Sequence, residues 1–225
     1  MQVLNVVSMI IMILGTVGVV SKSIRKRILG ISLNVIGLLL LTNCQKGMYG
    51  FCGGVEALLM QLPTWILFLI LTLLLCKKNG WKVMEDMSGF RNAHPYVFVL
   101  YIVIGLLLIG IPGSGTFAAY MIAVNAIIGE KITAFTYIGL LAMGIGIGLL
   151  VVQFFDLWIH MLIEKVPVTE ENIEEQSEEM LSQEPAGISK ILCVITSIVL
   201  LILLIFGVWQ TPLIQMIVKL YGMIK

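Results

Sequence analysis

Residues Asn92 to Gly129 read NAHPYVFVLYIVIGLLLIGIPGSGTFAAYMIAVNAIIG and contain no Asp, Glu, Lys or Arg. This apolar run is interrupted once, at Gly110-Ile111-Pro112-Gly113-Ser114-Gly115. In hydrocarbon every backbone N–H and C=O needs a partner, so a proline flanked by glycines persists at depth only where protein or a water-filled cavity surrounds it. Discontinuous membrane helices of this kind build ion paths in transporters. The stretch therefore predicts a helix broken at a hinge formed by Gly110, Pro112, Gly113 and Gly115.

The rest of the chain has the same character: 59% of its 225 residues are hydrophobic and 12% charged, with a mean hydropathy of +1.05. This composition predicts an all-α, polytopic transmembrane helix bundle, with residues 1–225 forming one transmembrane domain embedded in the lipid bilayer of the cell membrane. The first charge is Lys22, after an apolar Val3–Val20. That start lacks the basic n-region and small-residue cleavage site of a signal peptide and reads as a retained span. Net charge is +1 and the cations are clustered, which points to loop topology and away from nucleic acid.

A bilayer requires about 20 apolar residues per helix. Runs near that length are Val3–Val20, Ile28–Leu41, Val55–Cys76, Tyr96–Ile128 with its break, Thr133–Ile163 and Ile188–Trp209. They make six spans if Tyr96–Ile128 crosses once, and seven if it turns back. Cytoplasmic loops carry the excess of Lys and Arg. With the N-terminus outside the cytoplasm, six spans place ten of the fourteen cations inside and seven spans place eleven, so both counts give one orientation.

Residues 164–187 hold eight of the thirteen acidic side chains, most within Glu170–Glu179. A block of like charge repels itself. It reads as an acidic, mobile cytoplasmic loop between two spans, the alternative being a cation-attracting vestibule or docking site. Cys44 and Cys52 share an extracytoplasmic loop, either as free thiols or as a disulfide in an oxidising compartment. No Cys/His spacing predicts a metal, and no glycine-rich phosphate loop, nucleophile elbow or cofactor fingerprint is present. The expectation is a chain without cofactor, metal or redox site, at most a non-catalytic subunit.

An ionisable residue inside a span costs a few kcal/mol or more and is a functional candidate by default. Asp156 and His160, at i and i+4 in the fifth span, share a helix face. They form either a proton relay or a structural pair near the membrane interface. Glu56 and Gln61 precede Pro63, and Glu56 is expected to reach the outer surface. Tyr120 and Asn125 follow the hinge, where a buried hydrogen-bonded role is the simplest one. Gly144, Gly146 and Gly148 are expected to let a neighbouring helix approach closely.

The order of the basic cluster Arg25-Lys26-Arg27, then Ser32 and Gly37, then Met87-Ser88-Gly89-Phe90, then the hinge with Thr116 and Phe117 resembles one known pattern. It is similar to the antiporter-like membrane subunits of NADH:quinone oxidoreductase and of Mrp-type Na+/H+ antiporters, specifically the C-terminal six of their fourteen helices. Trp209-Gln210-Thr211-Pro212 extends the likeness to the last span. The Gly-x-Pro-x-x-Gly-x-Phe hinge is its most specific part.

The resemblance implies that the broken helix crosses once. It implies a Lys or Glu as proton outlet three residues after the hinge Phe, where this chain has Tyr120, and a His where it has Gln61. Neither side chain exchanges protons usefully near neutral pH, Tyr having a pKa near ~10. Arg25 and Lys26, opening the second span, complete the proton-path candidates Asp156, His160, Tyr120 and Gln61. The resemblance further implies protons or Na+ as transported ions, and other membrane subunits that supply the missing N-terminal helices. Asn5, Ser8, Gln61 and Thr64 are expected to lie on faces that such a partner covers. The function expected is that of a membrane subunit of a complex I, Mrp or hydrogenase-type assembly, structural or partly degenerate in its proton path. The alternatives are a scaffold subunit without an ion path and a small-solute carrier.

Overall fold

A computed structural model describes residues 2–129, 134–163 and 190–224. These residues are all-helical apart from connecting turns and one isolated antiparallel bridge, Ser23 to Val83. The helices are α1 (Gln2–Gly15), α2 (Val17–Val20), α3 (Ile24–Asn43), α4 (Gly47–Asn79), α5 (Phe90–Ala93), α6 (Pro95–Ile109), α7 (Gly115–Ile128), α8 (Ala134–Leu162), α9 (Lys190–Val208) and α10 (Gln210–Ile224). The acidic loop expected over residues 164–187, and Glu130 and Lys131, lie outside the described residues.

Among the described residues three stretches are long and apolar enough to cross a membrane: Val3–Val20, Gly47–Asn79 and Thr136–Leu162. Two bent pairs raise the number to as many as five: Met84–Ala93 with Pro95–Ile109, bent by 118°, and Cys193–Val208 with Gln210–Met223, bent by 78°. The first bend follows from Pro95, because the residue before a proline is driven out of helical geometry. His94 sits accordingly at φ −139° and ψ 65°.

Helix α3 packs against α1, α4 and α8. Glycines let these helices close in, as in membrane bundles generally. A β-carbon at Gly18 would lie 2.7 Å from Gly30 Cα, and one at Gly37 would strike Met12. Of the glycine run in α8, Gly146 makes the close approach, to Met12 and Leu38, while Gly144 and Gly148 face open space. Side-chain amides tie the bundle together: Asn34 Nδ2 donates to the Gly146 carbonyl at 3.0 Å, and Gln153 Nε2 to the Gly15 carbonyl at 3.0 Å.

One expectation is overturned here. Asn5, Ser8, Gln61 and Thr64 need no partner protein to cover them, since this chain buries all four itself. Gln45 Nε2 reaches Asn5 Oδ1, and Ser8 Oγ and Thr64 Oγ1 bond back to the carbonyls of Leu4 and Met60. The faces left open are apolar, with Val3, Ile10, Leu14 and Val17 on the first two helices and Leu141, Val152, Phe155 and Ile159 on α8.

At one end of the bundle the connections are knit together. Ile24 N donates to Lys82 O, Met84 N to Lys22 O, and Gly89 N to Ile163 O. The cations between Lys22 and Arg27 and between Lys77 and Arg91 gather at this end.

Candidate functional site

The hinge is built as hydrocarbon demands. Gly110, at φ +81°, ends α6, and its N–H and that of Ile111 both reach back to the Leu106 carbonyl. Ser114 caps α7, its Oγ accepting from Phe117 N at 3.1 Å, a bond that satisfies one of the orphan donors of a helix start. Gly113, at φ +92°, makes the turn between them. Protein closes over the break on two sides: a β-carbon at Gly115 would meet Met60 Sδ at 2.8 Å, and one at Gly207 would meet Gly115 N at 2.6 Å. From α10, Gln210 Nε2 lies 3.4 Å from Ser114 O.

Helices α6 and α7 advance along α4 in a single direction. Tyr101 bonds Thr72, the Gly115 backbone adjoins Met60, Tyr120 bonds Gln61, and Ala123 adjoins Gly53. From Thr72 back to Gly53 is about 28 Å at ~1.5 Å per residue. Neither half matches the roughly 30 Å of a bilayer core alone, since α6 has 15 residues and α7 has 14.

Tyr120 and Gln61, singled out separately by the resemblance, meet in the structure. Both are buried, with Gln61 Nε2 donating to Tyr120 Oη at 2.8 Å. The Tyr120 hydroxyl in turn points at the Leu108 carbonyl, 3.4 Å away, one of the acceptors freed by the break. Its ring lies against Gly110, where a β-carbon would come within 2.9 Å of it. Gln61 Oε1 has no partner among the described residues. Asn125, by contrast, is exposed, and its Nδ2 bonds back to Met121 O.

Asp156 and His160 do share a helix face, but the carboxylate is engaged elsewhere. Asp156 Oδ2 lies 2.6 Å from Arg27 Nη1, whereas His160 Nδ1 is 3.7 Å from Oδ1 and makes its nearer contact, 2.8 Å, with the Asp156 backbone carbonyl. The Arg27 side chain is 5% exposed, and its Nη2 also donates to the carbonyls of Val19 and Ser21. Arg25 and Lys26 are exposed. Arg27, which sequence reasoning left among a generic basic cluster, is thus the cation that enters the bundle.

Glu56 is the second residue that reasoning misplaced. It does not reach the surface: its exposure is 0%, and neither carboxylate oxygen has a hydrogen-bond partner among the described residues. The expectation failed because α4 starts at Gly47, eight residues before the apolar run does. Cys44 and Cys52 are free thiols, half-buried and buried respectively. No group of three or more His, Cys, Asp or Glu is placed to hold a metal among the described residues.

The comparisons agree with this architecture. A chain of the Mrp complex from Dietzia sp. DQ12-45-1b superposes with a TM-score of 0.69 at 15% identity, over 96% of this chain and 46% of that one. A chain of respiratory complex I from Thermus thermophilus with bound Aureothin gives 0.62 at 15% identity, over 95% of this chain and 45% of that one. At such identity the likeness is one of fold, and this chain spans less than half the length of either. No curated protein matches the sequence. The family model described as NADH:quinone oxidoreductase/Mrp antiporter, TM, matches residues 1–146, from the first helix through the hinge and into α8. By that match over most of its length, the chain belongs to the NADH:quinone oxidoreductase/Mrp antiporter membrane family.

Proposed function

We propose that this chain works as a membrane subunit within a larger assembly of related subunits, of the complex I, Mrp or hydrogenase kind, and that it retains only part of a proton path. The observation that carries this reading is the Gln61–Tyr120 hydrogen bond. The two positions at which the resemblance calls for a titrating His and a titrating Lys or Glu are in contact beside the hinge, yet they hold an amide and a phenol. Neither changes charge near neutral pH. The pair keeps the geometry of a relay and satisfies the hinge, without the protonation that a relay needs.

In this reading the chain crosses the membrane six times, with α6 and α7 as one discontinuous crossing, and its basic end faces the cytoplasm. Support comes from the steady advance of α6 and α7 along α4 and from the insufficient length of each half. That other membrane subunits surround this chain is supported by the assemblies from which the similar solved chains come, an Mrp complex and respiratory complex I. Protons or Na+ are the ions that such an assembly would move.

A second reading, a scaffold without any ion path, is favoured by the engagement of Asp156 with Arg27. Purification in a gentle detergent, followed by reconstitution into vesicles, separates the readings. Co-elution with other membrane proteins and ion-coupled proton movement are expected. A monodisperse monomer would defeat the subunit reading, and a complex that falls apart when this chain is deleted, yet moves no protons when whole, would leave the scaffold.

A further inference from the structure

Glu56 presents a problem that packing does not explain. Its carboxyl is fully enclosed by this chain alone, and both oxygens lack hydrogen-bond partners among the described residues. A carboxyl in that position adds nothing to the core that Met or Leu of similar size would not supply at lower cost, since a buried polar group is penalised when its hydrogen bonds are unmade. Near it on α4, three glycines let other parts of the chain come close. A β-carbon at Gly50 would strike Gln45, one at Gly53 would meet Ala123 N at 3.1 Å, and one at Gly54 would meet Asn43 Oδ1 at 2.8 Å.

Among the described residues no cation is paired with it. On its own helix the titratable neighbour is Cys52, one turn away and itself buried, with Lys46 at the N-terminal cap, where it is exposed, and Lys77 and Lys78 at the far end. Helix α3 carries its cations, Arg25, Lys26 and Arg27, in the first turn at the opposite end of the bundle. Helix α7 offers only Tyr120, which is bonded to Gln61, and α6 only Tyr96 and Tyr101. From α10 come Lys219, which is exposed, and Tyr221, whose ring packs on Phe51, and from α9 comes Cys193. A partner subunit cannot supply a counter-charge either, because no part of Glu56 is open to it.

We propose that Glu56 is a proton-binding site within the membrane, a neutral carboxylic acid at rest that takes up and gives back one proton five residues before Gln61 on α4. It rests on the partly retained path proposed above and names the group that keeps it titratable. A proton is the ligand that fits, because it needs one oxygen. A metal cation needs several oxygen ligands, and no cluster of acidic or other metal-ligating side chains surrounds this carboxyl among the described residues. Glu56 lies nine residues into α4, about 14 Å from its start. A proton would therefore enter from the Gly47 end.

The test is infrared difference spectroscopy on the complex in lipid vesicles, wild type against Glu56→Gln. The wild type should show the carbonyl stretch of a protonated carboxylic acid at neutral pH, lost in Glu56→Gln and kept in Glu56→Asp. Should Glu56→Gln fail to assemble, dicyclohexylcarbodiimide on the wild-type complex reads the same state, since it adds to the protonated acid. Mass spectrometry should then find the acylurea on Glu56, with yield falling as pH rises. Absence of both the band and the adduct, or loss of the band on adding Na+ at fixed pH, would overturn the assignment. Proton movement measured in the same vesicles reports separately on the path: a band without transport sinks the path and leaves the site.

Discussion

The amide of Gln61 donates to the hydroxyl of Tyr120 across 59 residues of sequence, and that hydroxyl faces the Leu108 carbonyl released by the break in the helix. One phenol thus joins α4 to both halves of the discontinuous helix. A lysine at the same place could donate to Leu108 but could not accept from Gln61, so the amide and the phenol form a matched pair. That matching is why the hinge can stay closed without a buried charge.

Tyr120→Phe should destabilise the folded protein by about 1–3 kcal/mol, the penalty of leaving the Gln61 amide unsatisfied. Gln61→Leu in the Tyr120→Phe background should cost less than the sum of the two single changes, because contacting residues couple. Thermal unfolding in detergent measures both. Strict additivity would mean that the hydrogen bond is absent in the membrane protein.

Gly207→Ala places a β-carbon 2.6 Å from Gly115 N and 3.1 Å from Gly113 O. Backbone cannot yield as a side-chain tip does, so α9 must move away from the hinge. A loss on the order of 1–3 kcal/mol is expected, as for overpacking elsewhere. Gly222→Ala, where nothing lies within 4 Å, is the control and should be close to neutral. Equal stability of the two variants would remove α9 from the hinge.

Much of this fold is legible in the sequence because its signals are local. The break at Gly110–Gly115 is visible as three glycines and a proline inside an uncharged run, and α6 and α7 begin and end where that run predicts. Pairings over long separations are not local. Spacing put His160 beside Asp156, but the stronger contact comes from Arg27, 129 residues earlier, and only packing selects that one cation from three in a row. Glu56 was misplaced for another reason. The glycines at 50, 53 and 54 read as loop by helix propensity, whereas in a membrane bundle they serve close approach, so that α4 runs on to Gly47 and Glu56 lies inside.

A single crossing by α6 and α7 places Ile128 on the same side as Met48, and both opposite Lys78. In a variant lacking Cys44, Cys52, Cys76 and Cys193, cysteines introduced at Met48 and Ile128 should react with a membrane-impermeant thiol reagent applied to intact cells. Lys78→Cys should react only after permeabilisation. Protection of Ile128→Cys alongside Lys78→Cys would show that the chain turns back at the hinge.

The Arg27–Asp156 pair predicts an asymmetry. The Asp156 carboxylate is 37% exposed, so water can solvate it when Arg27 is removed, whereas the Arg27 side chain is 5% exposed and cannot be rehydrated when Asp156 is neutralised. Removing one member of a buried pair costs about 3–5 kcal/mol when the other is left as an uncompensated charge. Asp156→Asn should fall towards that range, with Arg27 still held by the Val19 and Ser21 carbonyls. Arg27→Gln, whose amide can still reach one of those carbonyls, should cost less. The double variant should recover part of the loss of Asp156→Asn. His160→Gln should leave stability nearly unchanged, because the nearer contact of its Nδ1 is to a backbone carbonyl that an amide can also reach. Unfolding curves for the four variants decide the matter: if Asp156→Asn proves neutral in stability yet abolishes proton movement in the reconstituted complex, the carboxylate belongs to an ion path and not to the clamp between α3 and α8.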